Sequence, residues 1–224
     1  MSFFYDGASI QNRRKSNMDS LLLKERSICG TTICIAVVCD GVGSLADGAF
    51  ASSAAVRMLS EWFSKINSLG RLGLQMRDAV LEINACVVRE AREQGLHTGT
   101  TLSALLLSEE RYYVVHTGDS RIYMCRDGTL EQLTDDQSLG GRLTACLGRS
   151  EQTNLYYNEG SVQNGRFLLC SDGLYKRMES TRLQAELENM DPKSMKISIE
   201  RMIGHVTGQG ESDNISLAVV LKEN

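Results

Sequence analysis

The run IAVVC at positions 35–39 is strand material, and it ends on Asp40 with Gly41 directly after it. The chain repeats the device at FLLCSDG, where Asp172 and Gly173 follow Phe167–Cys170, and a third acid, Asp213, stands two residues before the apolar run ISLAVV. Short apolar runs rich in Val, Ile and Leu form buried strands. An acid in this position leaves the core just as its strand reaches the surface. Three such acids imply that several strands end together, around something positively charged.

The rest of the chain reads as a layered α+β fold. Alternating or continuous apolar stretches predict strands near 3–10, 20–26, 32–39, 100–108, 111–117, 120–126, 129–133, 153–158, 166–171 and 214–221. Asp127-Gly128 in CRDGTL marks a tight hairpin. Two amphipathic helices interrupt the early strands. The first repeats Phe50, Ala54, Met58, Trp62 and Ile66, flanked by Ala51, Ala55, Leu59 and Phe63; the second carries Met76, Ala79, Val80, Ile83 and Val87. A third helical region spans roughly 179–206, with Pro192 expected to open its last helix. Many short strands with few crossovers predict antiparallel sheets with helices outside them. At 224 residues the chain, 1–224, reads as one domain with a single substantial core.

Bulk properties exclude several function classes. The formal net charge is −4 and the only basic block is RRK at 13–15, which argues against nucleic acid as the main ligand. No apolar run approaches the roughly 20 residues of a membrane span, and the N-terminus lacks a signal-peptide core. Seven cysteines, an odd number without CxxC spacing, read as reduced core thiols of a cytoplasmic protein rather than as a disulfide framework or a zinc site. His97, His116 and His205 form no HExxH or similar ligand set.

Hard divalent cations favour carboxylate, carbonyl and water oxygens. The glycine after Asp40 and after Asp172 lets the backbone turn and leaves its carbonyl unobstructed. Asp-Gly is equally a turn dipeptide, so spacing alone leaves ligand and turn both open.

Seven segments in order carry a resemblance: RRKSNMDS, VVCDGVGSLADGAFAS, TGTTLSALLL, HTGDSRIYMCRDG, LTDDQSL, FLLCSDGLY and SDNISLAVV. Over nearly its whole length the chain resembles the metal-dependent protein phosphatases of the protein phosphatase 2C family, bacterial type. The resemblance implies two stacked antiparallel sheets, each covered by a helical pair. It also implies hydrolysis of phosphoserine and phosphothreonine in proteins by a metal-bridged water, using two Mg²⁺ or Mn²⁺ ions. On the matching positions, Asp40 bridges the metals, Gly41 offers its carbonyl, and Asp172 and Asp213 complete the first metal's shell. Asp19 holds the second metal through water. Asp119 with Asp172 holds a weaker third. Arg14 binds the substrate phosphate, and Asn214 orients Asp213.

The chain departs from the family at Met18, where an acid or amide is usual, and at Val42, where animal members carry a histidine. It departs again in SLADGAF, at Ser44, Leu45 and Ala49. After LTDDQSL the family's long flap is missing: only Gly140, Gly141 and Arg142 precede LTACLG, predicting a short turn and an open site. The expected partners are phosphoproteins, with a serine/threonine kinase as counterpart, acting on a monomer. Two other functions remain open at this point. One is a non-catalytic phosphoprotein-binding scaffold, which the five acids argue against. The other is a two-metal hydrolase of small phosphoesters or nucleotides, which an open site permits.

Overall fold

A computed structural model describes residues 2–45 and 47–223; of the readings above, VVCDGVGSLADGAFAS and the SLADGAF within it include an internal residue outside that set, Ala46. The chain runs β1 (Ser2–Ile10), β2 (Ser20–Ile28), β3 (Thr31–Cys39), α1 (Gly48–Lys65), α2 (Leu72–Gln94), β4 (Leu102–Leu107), β5 (Arg111–Thr117) and β6 (Arg121–Arg126). It continues through β7 (Thr129–Gln132), β8 (Ser138–Leu139), β9 (Arg142–Leu143), β10 (Tyr156–Ser161), β11 (Gly165–Cys170), α3 (Asp172–Tyr175), α4 (Ser180–Glu188), α5 (Met195–Gly208) and β12 (Ile215–Glu223). Two five-stranded antiparallel sheets result, ordered β1-β12-β11-β6-β7 and β10-β5-β4-β3-β2. This is the expected α+β architecture.

The central strands are apolar throughout because each one serves two cores. In β3, Ile33, Ile35, Val37 and Cys39 pack toward α1 and α2. The alternate residues Cys34, Ala36 and Val38 pack between the sheets. In β12, Ile215, Leu217, Val219 and Leu221 meet α4 and α5, while Ala218 and Val220 turn to the inter-sheet layer. Burial on both faces removes the alternation that a half-solvated sheet would show. Phe167, fully buried between the sheets beside Tyr112, contributes about 1.5–3 kcal/mol by leaving water.

The structure corrects several expectations. The strand expected at 153–158 is β10, Tyr156–Ser161, because its start is set by pairing of Tyr156 with His116; residues before it are held as a loop by the Asn84 side chain, which donates to Ser150 O at 2.9 Å and Glu151 O at 3.1 Å. The third helical region is two separate helices, α4 and α5, with the short α3 ahead of it. Pro192 lies outside α5: the Asp191 carboxylate accepts from the Lys193 and Ser194 amides at 2.8 and 2.7 Å, and this turn delays the helix to Met195. On α1 the fully buried row is Ala51, Ala54, Ala55, Leu59 and Phe63, with Phe50, Met58 and Trp62 only partly covered, since small residues let the helix approach the sheet closely. The expected turn at 140–142 is a hairpin, β8–β9, with Gly140 and Gly141 both at positive φ, as a two-residue primed turn requires.

Gly173 supplies the first prediction. A Cβ placed there would lie 2.1 Å from the carbonyl oxygen of Asn214, in backbone that cannot yield. Gly173→Ala is expected to cost at least about 2 kcal/mol, read as a lower urea midpoint at unchanged slope. A midpoint within error of wild type would show that the two strand ends are not packed this closely.

Candidate metal and phosphate site

Register brings the acids to one end of both sheets. Ser20 pairs with Cys39, so Asp19 and Asp40 are next in line beyond the β2–β3 ladder. Cys170 pairs with Leu217, and the Ser171 amide extends the ladder to Ser216 O at 2.9 Å, so that Asp172, opening α3, emerges close to Asp213 before β12. Asp119 lies in the turn between β5 and β6. Asp40 is fixed on both sides of its own peptide: its amide donates to Thr101 Oγ1 at 2.9 Å, and its carbonyl accepts from the Thr101 amide and Thr100 Oγ1, each at 2.9 Å. Thr101 Oγ1 also meets Ser120 Oγ at 2.7 Å, tying Asp40 to the turn that carries Asp119. Arg14, Asp40, Gly41, Asp119, Asp172 and Asp213 all line one cleft of about 880 Å³, with Asn214. Asp19 is buried beside them.

The glycines after the acids are there for space. Neither Gly41 nor Gly173 has positive φ, so the expected sharp bend is absent. A Cβ on Gly41 would sit 2.6 Å from Met18 O and 2.7 Å from Gly48 C, where the start of α1 packs onto the end of β3. Each Asp-Gly marks a strand end against which another backbone is pressed.

Among the described residues no cation pairs with Asp19, Asp40 or Asp119. Burial raises the Asp40 carboxyl well above its ordinary value, and Asp19, Asp172, Asp213 and Asp119 add like-charge repulsion. Asp19 is pushed up to about 6, chiefly by burial, with Ser216 and Ser171 offsetting part of the effect. Its Oδ2 is buried without a hydrogen-bond partner. Asp119 also rises to about 6, by burial and then by Asp172, with Lys176 opposing.

Two side-chain cations partly answer this charge. The Arg14 fork donates from Nε to Asp213 Oδ1 at 2.8 Å and from its second terminal nitrogen to Oδ2 at 2.6 Å. Lys176 Nζ pairs with Asp172 Oδ2. With these pairs in place, no three ligating side chains among the described residues stand close enough to hold an ion without rearranging. The donor set nevertheless suits a hard cation. It is all oxygen, one buried carboxylate oxygen is orphaned, the Gly41 backbone lines the cleft, and Asp40 carries repulsion that a cation would relieve.

Asn214 does more than orient Asp213. Its amide donates to Asp213 Oδ1 at 2.8 Å, and its side chain holds the Arg14 loop: Nδ2 donates to Gln11 O and Ser16 O at 2.9 and 3.0 Å, while Oδ1 accepts from the Met18 amide at 3.0 Å. Sequence reasoning missed Glu211, whose Oε1 accepts from the Ser212 and Asp213 amides at 2.7 and 2.8 Å, and Thr101. It also missed Lys176, whose spacing of four from Asp172 across a helical turn was the available signal. Arg121, paired with Asp136 at 2.7 Å and lying 3.7 Å over the Tyr175 ring, completes the cleft wall. His116 is structural: burial lowers its pKa, and its ring spans Ser103 Oγ at 3.0 Å and Gly118 O at 3.1 Å.

Known proteins resemble this chain in both sequence and fold. The model of the family Protein phosphatase 2C matches residues 7–218. A serine/threonine phosphatase of Listeria welshimeri is 30% identical over 212 residues, covering 83% of each chain. The serine/threonine protein phosphatase PstP of Mycobacterium tuberculosis is 30% identical over 230 residues, spanning 92% of this chain and 42% of its own. A crystal structure of the PstP catalytic domain with two manganese ions superposes with a TM-score of 0.84 at 25% identity, covering 99% of both chains. PppA of Pseudomonas aeruginosa superposes at 0.82 with 28% identity, covering 98% and 97%.

The uncompensated acids predict an inverse pH dependence. A carboxyl held near 6 in the folded chain and near 3.8 when unfolded keeps its proton longer on folding. Stability is therefore greatest below about pH 4 for this group and falls as pH rises toward 6 and above, by on the order of 3 kcal/mol for Asp19. In EDTA, Asp40→Asn is expected to raise the melting temperature at pH 7.5 and to flatten its decline between pH 5 and 7.5. A variant less stable than wild type at pH 7.5 would contradict the electrostatic account.

Proposed function

The chain belongs to the protein phosphatase 2C family, and we propose that its strand-end acids and Arg14 carry out metal-dependent hydrolysis of phosphoserine and phosphothreonine in proteins. The observation that supports this most is the convergence of Asp19, Asp40, Asp119, Asp172 and Asp213 on one cleft, short of positive charge, beside an arginine fork. Asp40 with the Gly41 carbonyl is assigned to two Mg²⁺ or Mn²⁺ ions, Asp172 and Asp213 to the first, Asp19 to the second, and Asp119 with Asp172 to a weaker third. When bound, such ions lower the pKa of water and neutralise charge on phosphoryl oxygens.

The chain's own groups do the rest. The Arg14 fork, which grips two carboxylate oxygens of Asp213, has the shape to grip two phosphate oxygens instead. Asn214 fixes the loop that carries it. Water attacks phosphorus in line as the bond to the seryl or threonyl oxygen breaks. Arg14 stabilises the charge that develops on the phosphoryl oxygens. Val42 lines the cleft where a proton-donating side chain would stand, and His116 is buried in its own hydrogen bonds, so the departing oxygen takes its proton from water or from another group of the cleft. No protein nucleophile enters: burial raises the thiols of Cys39, beside Asp40, and of Cys146, which lines the cleft.

The seven free cysteines suit a reducing compartment, and we read the protein as a cytoplasmic, monomeric, single-domain counterpart of a serine/threonine kinase. Among the described residues no helix is long and apolar enough to cross a membrane.

Phosphate release from a phosphothreonine peptide is expected in millimolar Mn²⁺, absent in EDTA, and lost in Asp172→Ala. Arg14→Ala is expected to lower kcat/KM about 10- to 100-fold, the worth of a charge-assisted hydrogen bond or two. Full turnover in EDTA, or in Asp172→Ala, would contradict the assignment.

A further inference from the structure

Beside the cleft lies a second groove of about 620 Å³, where the segment joining α3 to α4 meets the last turn of α5. Lys176 lines both, so the groove borders the cleft. The groove carries Lys176, Arg177 and Arg182 with His205, against the one carboxylate of Glu179, in a chain whose net charge is −4. Arg182 is exposed and makes no ion pair or hydrogen bond among the described residues, and Arg177 reaches Glu211 only at 3.6 Å with its side chain 54% exposed. The first turn of α4, without a side-chain cap, and the last turn of α5 both border the groove. Their partial charges of about half a unit oppose each other, so the side chains set its sign.

We propose that this groove binds an Asp/Glu-rich segment of the same phosphoprotein whose phosphorylated residue enters the cleft. The proposal rests on the phosphatase reading and extends it to substrate choice. The β8–β9 hairpin, which also lines the cleft, is only two residues per strand, with Leu139 79% exposed, and covers little of the substrate. Selection therefore falls to charge beside the cleft. A nucleic acid fits less well, because the groove has three cations and no Phe, Tyr or Trp on which a base could stack.

The test uses phosphothreonine peptides with one core and a tail of four Glu or four Gln on either side, assayed with Mn²⁺ at low and high salt. A Glu tail on one side is expected to raise kcat/KM about 5- to 20-fold through KM, with the gain fading as salt screens it. Arg182→Glu removes the gain and leaves the Gln-tailed rate unchanged; Arg182→Lys retains it. Fluorescence anisotropy with an unphosphorylated Glu-rich peptide gives a readout independent of turnover, and Arg182→Glu should weaken that binding at least about fivefold. Turnover of Gln-tailed peptides with no Glu gain, a gain that survives Arg182→Glu, or tighter binding of an oligonucleotide of equal length would overturn the groove assignment alone. Absence of turnover with every peptide overturns the phosphatase reading and the proposal with it.

Discussion

Carboxylates that repel one another at the common end of two sheets are tolerable only because the strands beneath them cannot move apart. β3, β4, β11 and β12 are each packed on both faces, so their ends are fixed by side chains in two cores at once. That rigidity holds Asp40 and Asp19 beside one another although burial and like charge raise both carboxyls. Cores of this kind supply the stability that the site consumes, which is a common relation between a scaffold and its functional residues.

The same constraint explains the local backbone. Strand ends that converge must bring main chain against main chain, and the positions of contact are Gly41 against Gly48 and Gly173 against the Asn214 carbonyl. The Arg14 loop is then tied to that junction through Asn214, and through Asn12, whose Nδ2 donates to Glu211 O and Asp213 O at 2.8 and 2.9 Å. Arg14 and the acids consequently share one support. A displacement of Asn214 would disturb both.

Much of this was legible in the chain itself. An acid beside the end of an apolar run reads as a strand end at the surface, and Asp40, Asp172 and Asp213 are where that reading puts them. Asp119 and Asp19 carried no such local signal and were identified through resemblance. What the sequence hid depends on residues far apart. The dipeptide Asp-Gly suggests a bend, and only the approach of residue 214 to residue 173 shows that the glycine answers a steric demand. The start of β10 follows from pairing with His116, and no local propensity announces it. The pairing of Arg14 with Asp213 spans 199 positions. Lys176 was within reach, since a helical turn after Asp172 places a residue four positions on along the same face.

A crystal structure grown with Mn²⁺ would show directly whether divalent cations complete this charge-deficient cleft. Anomalous scattering should locate the ions among Asp19, Asp40, Asp172 and Asp213, with Arg14 released from Asp213 and free to meet phosphate. Crystals saturated with Mn²⁺ that show no anomalous peak at these acids, and keep the Arg14–Asp213 and Lys176–Asp172 pairs, would contradict cation binding there.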